Sequence, residues 1–360
     1  SYVRNNYFEG GQYYDSSTRE GFQFNPFLCM RDNDGSWLYR LNDIETGEEG
    51  EDHLNNLADI IFLIWKGEEG YTNNEWNIVI DSLYQFYEYA NENKMWVNLI
   101  EYEKYLNIYE EKVIKEQWKK FIDFDSLKLG LYPYVKGAKK YLLNSESNLN
   151  INDVRFVTFD LEAIKSSDIK DFKITSLIVS NLVVQKIMAT GKRVYFFNDE
   201  VQDFLEDKRM SRFIGYLFRT VRKKGGSIIV IGQNINFLKN APKEVVDSIL
   251  INCDIKMFLD HSTFTEAYGD LVKYGLLTQD EIKKLDNLVD GTKRGDRYKE
   301  FLLKLGNHSW ILRNEFSPVS EMIYSTDSED KKRIYKEFEK TGNMSLAVRK
   351  AAELKYNYEK

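Results

Sequence analysis

Val194-Tyr195-Phe196-Phe197-Asn198-Asp199-Glu200 is a short aromatic and β-branched run that ends in two adjacent carboxylates. Consecutive apolar positions fit a strand buried on both faces, and such strands belong to parallel sheets flanked by helices. Three more short runs share this character, at 154–160, 227–232 and 254–259. Helical periodicity fills the intervals at 171–189, 201–224 and 242–252. The alternation predicts an α/β core: a mostly parallel sheet with helices on both faces. In open sheets of this kind ligands bind at the carboxyl ends of the strands, where Asp199 and Glu200 fall.

Downstream, the runs 298–305 and 308–312 are separated by Gly306-Asn307, a two-residue turn suited to an antiparallel edge hairpin. Ser317-Pro318 starts a helix, and the charged amphipathic stretch 328–360 predicts terminal helices. Upstream, 51–144 is helical throughout. Leu54, Leu57, Ile61 and Ile64 form one apolar stripe, Trp76, Ile80, Leu83 and Tyr87 another, and Thr72 with Glu75 has capping-box spacing. Residues 1–50, rich in Gly, Asn, Asp and Tyr, read as mostly loop apart from the apolar stretch 22–27. The expected division is an α/β core over 1–50 and 145–327, an all-α subdomain over 51–144, and C-terminal helices over 328–360.

Composition bounds the function. With 360 residues, 42% hydrophobic, 30% charged and four prolines, the chain is globular. Cys29 and Cys253 lie far apart in segments that read as interior, which argues against a disulfide framework and for a reducing, cytoplasmic setting. Apolar runs such as 60–65 are far too short to span a bilayer, and no signal peptide opens the chain. A net charge of -7 argues against wholesale wrapping of nucleic acid, although a local basic lining stays open. His53, His261 and His308 are remote from one another and from both cysteines, so no structural zinc is expected. No G-x-S-x-G elbow occurs. The 24 tyrosines are read as core and interface, not as base-stacking platforms.

Two readings of Asp199-Glu200 remain open on these residues alone. In a P-loop ATPase the aspartate holds Mg²⁺ through its water shell and the glutamate polarises the attacking water. Acidic residues ahead of a helix also complement its dipole. Arg219-Thr220-Val221-Arg222-Lys223-Lys224-Gly225-Gly226 follows, and the next strand delivers Gln233 to the same sheet edge. There a glutamine can sense a γ-phosphate or a water, and an arginine at a subunit boundary can stabilise transition-state charge in a neighbour. Cations in a helix's last turn, with Gly225 as the stop, are the plainer reading of the basic cluster.

Taken in order, Asn25-Pro26-Phe27, Leu142-Leu143-Asn144, Val157-Thr158-Phe159-Asp160, Asp199-Glu200, Arg222 to Gly226 with Gln233, and Asn252-Cys253-Asp254 resemble the TraG-type conjugation ATPases. These include the VirB-type motors of type IV secretion and proteins of conjugative transposons, within the HerA-FtsK group. The resemblance covers nearly the whole chain. It implies a RecA-like P-loop NTPase fold, with Asp199 at Mg²⁺, Glu200 as catalytic carboxylate, Gln233 as sensor and Arg222 as the arginine acting in trans. It further implies ATP and Mg²⁺ as cofactors, a homo-oligomer of hexameric type, and a place in the cytoplasm at the inner membrane. Partners would be inner-membrane secretion components and a coupling protein. Arg294 and Arg297, near the hairpin, are secondary candidates for contacts across a subunit boundary.

One motif departs from the family. The phosphate-binding pattern G-x-x-x-x-G-K-[ST] is absent, and both Gly191-Lys192-Arg193 and Gly291-Thr292-Lys293 fail it. The resemblance places the missing elements immediately upstream of Ser1. On that expectation the 360 residues alone bind ATP poorly and expose a sheet edge. Two other functions compete: a non-hydrolysing scaffold or coupling module, and a DNA translocase with a basic lumen.

Overall fold

The computed structural model describes residues 7, 11–17, 23–28, 47–67, 69–146, 151, 154–190, 193–233, 238–239, 241–260, 267–294 and 296–356. The order begins with strand β1 (Gly11–Asp15), followed by helices α1 (Gly47–Lys66), α2 (Asn73–Glu92), α3 (Leu99–Lys115), α4 (Phe124–Val135) and α5 (Lys140–Leu143). Thr72 and Glu75 form the capping box at the start of α2 that their spacing predicts. Asn98 and Asp123 cap α3 and α4. The helices enclose an aromatic centre in which Phe86 packs edge-on to Phe27 and Tyr102, at centroid distances of 5.8 and 5.5 Å. Close packing of α1 on α4 depends on Gly130, where an added Cβ would stand 3.0 Å from the Trp65 Cα.

Two of the motifs quoted above close the neck of this helical region. The Phe24 N–H donates to the Leu142 carbonyl, and the Ser145 N–H donates back to Phe24. Asn25 donates to the Val97 carbonyl, while Asn144 donates to Tyr134 and accepts from the Ile100 N–H. Asn-Pro-Phe and Leu-Leu-Asn thus serve as paired clasps where the chain enters and leaves the helices.

Strand β2 (Phe156–Asp160) pairs in parallel with β1, Tyr13 lying opposite Thr158. The expectation of loop in this early part is therefore corrected at 11–15. Only Tyr13 and Tyr14 of Gly-Gln-Tyr-Tyr-Asp favour a strand locally, and the partner supplies the rest. Helices α6 (Glu162–Ser167) and α7 (Ile169–Thr190) follow, then β3 (Val194–Asn198), α8 (Gln202–Leu205) and α9 (Lys208–Thr220). The single helix expected over 201–224 breaks because Asp207 caps α9, accepting from the N–H groups of Arg209 and Met210. A 3₁₀ turn, Val221–Lys224, ends at Gly225 with a left-handed φ of 80°. Strand β4 (Gly226–Val230) pairs in parallel with β3.

Beyond it come α10 (Lys243–Asn252), β5 (Ile255–Phe258), α11 (Ala267–Lys273), α12 (Gln279–Asp286) and the hairpin of β6 (Tyr298–Leu305) and β7 (His308–Glu315). β5 runs antiparallel to β6, so among the described residues the strands form two parallel pairs and one antiparallel trio. Gly306, the first of the two hairpin turn residues, has φ 55°. Helix α7 is the spine: Ile174, Leu177, Ile178, Val179, Leu182, Val183 and Ile187 are all buried. One core runs continuously from the helical region through α7 to the strands. Phe196 and Phe258 pack onto it, whereas Tyr195, Phe197, Ile255 and Met257, alternating with them, are exposed. Helices α13 (Pro318–Tyr324), α14 (Ser328–Thr341) and α15 (Met344–Tyr356) close a small second cluster around Met322, Ile334 and Val348. Among the described residues no helix is long and apolar enough to cross a membrane.

Candidate functional site at the carboxyl edge of strands β3 and β4

Parallel pairing brings Asn198 opposite Val230. The ladder then continues past both strands, with the Ile231 N–H donating to Asn198 and the Val201 N–H donating to Ile231. These two bonds hold Asp199 and Glu200 on one strand exit and Gln233 on the next. Glu200 has φ 54°, a left-handed conformation that costs a non-glycine residue about 1 kcal/mol. Its N–H donates to Asp199 Oδ1 at 3.0 Å, and its carbonyl accepts from the Asp203 N–H.

Gln233 Nε2 donates to Glu200 Oε1 at 3.0 Å. On the other oxygen, Lys165 Nζ lies 3.2 Å from Glu200 Oε2, and it also lies 2.7 Å from Asp203 Oδ2. The Asp203 hydrogen bond outweighs partial burial and, with Glu200, holds the Lys165 ammonium above its usual range. Asp199 is exposed, with Oδ1 on the Glu200 N–H. One open carboxylate at a strand end suits a Mg²⁺ ion, which keeps most of its waters and takes few protein oxygens. Among the described residues no group of three or more His, Cys, Asp or Glu side chains forms a denser metal cage.

Glu200, Gln233 and Asp199 therefore share one edge. Arg222 does not join them: it is exposed in the 3₁₀ turn that precedes β4, at the opposite end of that strand from Gln233. Five residues of strand separate the two ends, about 16 Å. Arg297 lies over the Tyr356 ring at 5.5 Å, and the Arg294 side chain is outside the described residues. His53 hydrogen-bonds the Tyr87 hydroxyl and His308 stacks on Trp310, while His261 and Cys29 lie outside the described residues. Cys253 is free. Lys165 carried no motif in the sequence. Its only local signal was its place on the helix that follows the strand ending in Asp160.

Parallel strands that deliver a carboxylate pair and a glutamine to one edge form the kind of strand-end site at which open α/β proteins bind ligands, and the comparisons with known proteins place the fold in the P-loop NTPase class. Residues 1–355 match the TraG P-loop domain, and the chain belongs to that family. It is 24% identical over 339 residues to Protein TraC of Escherichia coli (strain K12), a match that covers 89% of this chain and 34% of TraC. The chain thus spans about a third of that relative's length. Its fold is similar to that of VirB4 of Thermoanaerobacter pseudethanolicus, with a TM-score of 0.64 at 20% identity, over 86% of this chain and 78% of VirB4.

Proposed function

We propose that this chain is the catalytic part of an ATPase motor that powers conjugative type IV secretion, and that its phosphate-binding loop comes from sequence outside the 360 residues. The observation that carries the reading is the hydrogen bond of 3.0 Å between Gln233 and Glu200 across two strand exits. A carboxylate fixed at that edge accepts a proton from a water, and the neighbouring amide holds the water in line. Asp199 would hold Mg²⁺, whose charge offsets that developing on the phosphates. The pattern G-x-x-x-x-G-K-[ST] does not occur in the 360 residues, so the holding of the phosphates is not assigned to them.

Arg222, remote from Glu200 within one subunit, would reach a nucleotide only in a neighbour's site if it acts on one, and the motor is proposed to work as a ring, of hexameric type. Its partners would be inner-membrane secretion components and a coupling protein, with the motor on the cytoplasmic face. The core of 1–50 and 145–327 would carry the chemistry and the helices of 51–144 a contact surface. A non-hydrolysing scaffold is the second reading, favoured by the absent G-x-x-x-x-G-K-[ST] pattern.

The deciding experiment compares ATP turnover by the natural protein extended upstream of Ser1, its Glu200→Gln variant, and the 360-residue chain. Turnover in the extended protein, falling at least ~100-fold in Glu200→Gln, supports the motor. Silence in all three under conditions where a ring assembles supports the scaffold.

A further inference from the structure

Glu200 is anchored on both carboxylate oxygens, and the second anchor is a residue to which the motor reading assigns no role. Gln233 reaches Oε1 from the exit of β4; Lys165 reaches Oε2 from α6, the helix that follows β2. A single hydrogen bond leaves a carboxylate free to swing about its last torsions. Two donors from opposite sides fix its plane.

We propose that Lys165 is a positioning residue for Glu200, setting the direction in which the carboxylate faces the attacking water. The proposal rests on the reading of Glu200 as the water-polarising group. Lys165 is itself held: Asp203 takes its ammonium at 2.7 Å, and its head lies 6.0 Å from the centre of the Phe172 ring. Phe172 in turn meets Phe204 edge-on at 6.2 Å. The helix that carries Lys165 is tied down at its start, where the Glu162 N–H donates to Asp160 and the Ile164 N–H donates to Ser16. The position of Lys165 is thus inherited from the β1–β2 pair. The Glu200 side chain remains 42% exposed, so oxygen lone pairs not taken by Lys165 and Gln233 stay open to a water.

A plain surface tether between α6 and α8 would show the same distances, since exposed ion pairs contribute little to stability. The two roles separate in kinetics. In the upstream-extended protein, Lys165→Met is expected to lower kcat roughly 10- to 100-fold with KM within about twofold, because misaiming a reacting group costs rate and not binding. Lys165→Arg should recover most of the loss. In a Glu200→Gln background, followed by single turnover, Lys165→Met should lower the residual rate no further. Unchanged kcat in Lys165→Met, a rise in kcat, or an equal loss in both backgrounds would overturn the proposal. Should Lys165→Met melt early, Lys165→Gln, which keeps most of the stem, serves in its place under the same criteria. If the parent protein turns over and Glu200→Gln does not slow it, the motor reading itself fails and this proposal with it.

Discussion

Phe86 and Tyr102, at the centre of the helical region, are each 0% exposed, whereas Tyr195 and Phe197 on β3 are 56% and 62% exposed. Both regions are rich in aromatic sequence, but only one encloses it. The helices α1 to α4 are held by apolar burial and close ring packing, which is non-directional and tolerant of small shifts. The carboxyl edge of β3 and β4 is held by a few directed contacts: two ladder bonds past the strand ends, one amide and one ammonium on Glu200. On the proposed function, stability and chemistry occupy different parts of this chain, so substitutions should separate them.

The sharpest break of that contrast is Phe86→Ala. Removing a fully buried ring leaves a cavity and should cost about 3–5 kcal/mol in urea unfolding of the 360-residue chain. A loss below about 1 kcal/mol would mean that the helical centre is not the anchor described. Next is Asp207→Ala at the junction. Asp207 caps α9 and faces Lys173 at 3.2 Å, with side chains only 5% and 11% exposed. Burial alone would raise its carboxyl, but the Met210 N–H, the Lys173 charge and the Arg209 N–H outweigh that and hold it below the usual range. Loss of the cap and the partnered charge should cost about 2–4 kcal/mol by the same measurement.

Acid offers a third way to set the regions apart. Glu281 accepts from the Thr278 N–H and from Lys304 on β6, which pins the hairpin to α12. Burial would raise this carboxyl, yet Lys304, the Thr278 N–H and the Ser309 and Thr278 hydroxyls hold it at about 2. The unfolded chain titrates near ~4.3, so the stabilisation is complete above that pH and is lost as pH falls toward 2. Amide exchange at pH ~3 should therefore speed up in β6 and β7 before α2 and α3. The Glu281→Gln variant should lack this acid response, with a difference of about 2 kcal/mol. Simultaneous loss of protection in both regions would contradict the contrast.

The sequence was most legible where local rules act. Thr72 with Glu75, Gly306 at the hairpin and the run ending in Asp199-Glu200 all carry their structure in short-range pattern. Strand β1 was hidden because its partner lies about 145 residues away in sequence and Gly-Gln-Tyr-Tyr-Asp has little strand character of its own. Lys165 was hidden for the same reason: its 35-residue separation from Glu200 closes only when α6 and β3 are both in place. Arg222 was visible as a basic residue, but its separation from Glu200 by the length of β4 emerges only once that strand is in place.

The smallest expected effect is also the one that bears most directly on the contrast. Glu200 keeps a left-handed φ of 54°, which glycine adopts at no steric cost. If the edge were organised for stability, Glu200→Gly would destabilise it by removing the contacts with Gln233 and Lys165. The Gln233 contact is exposed and the Lys165 contact half-exposed, so each contributes a few tenths of a kcal/mol, while the strain they overcome is about 1 kcal/mol. The added chain freedom of glycine takes back part of the gain. Glu200→Gly should therefore leave the melting temperature of the 360-residue chain unchanged or raise it by a degree or two, while the same change in the extended protein removes turnover. A drop of several degrees would show that the side chain at this edge serves the fold, and the separation drawn between the two regions would not stand.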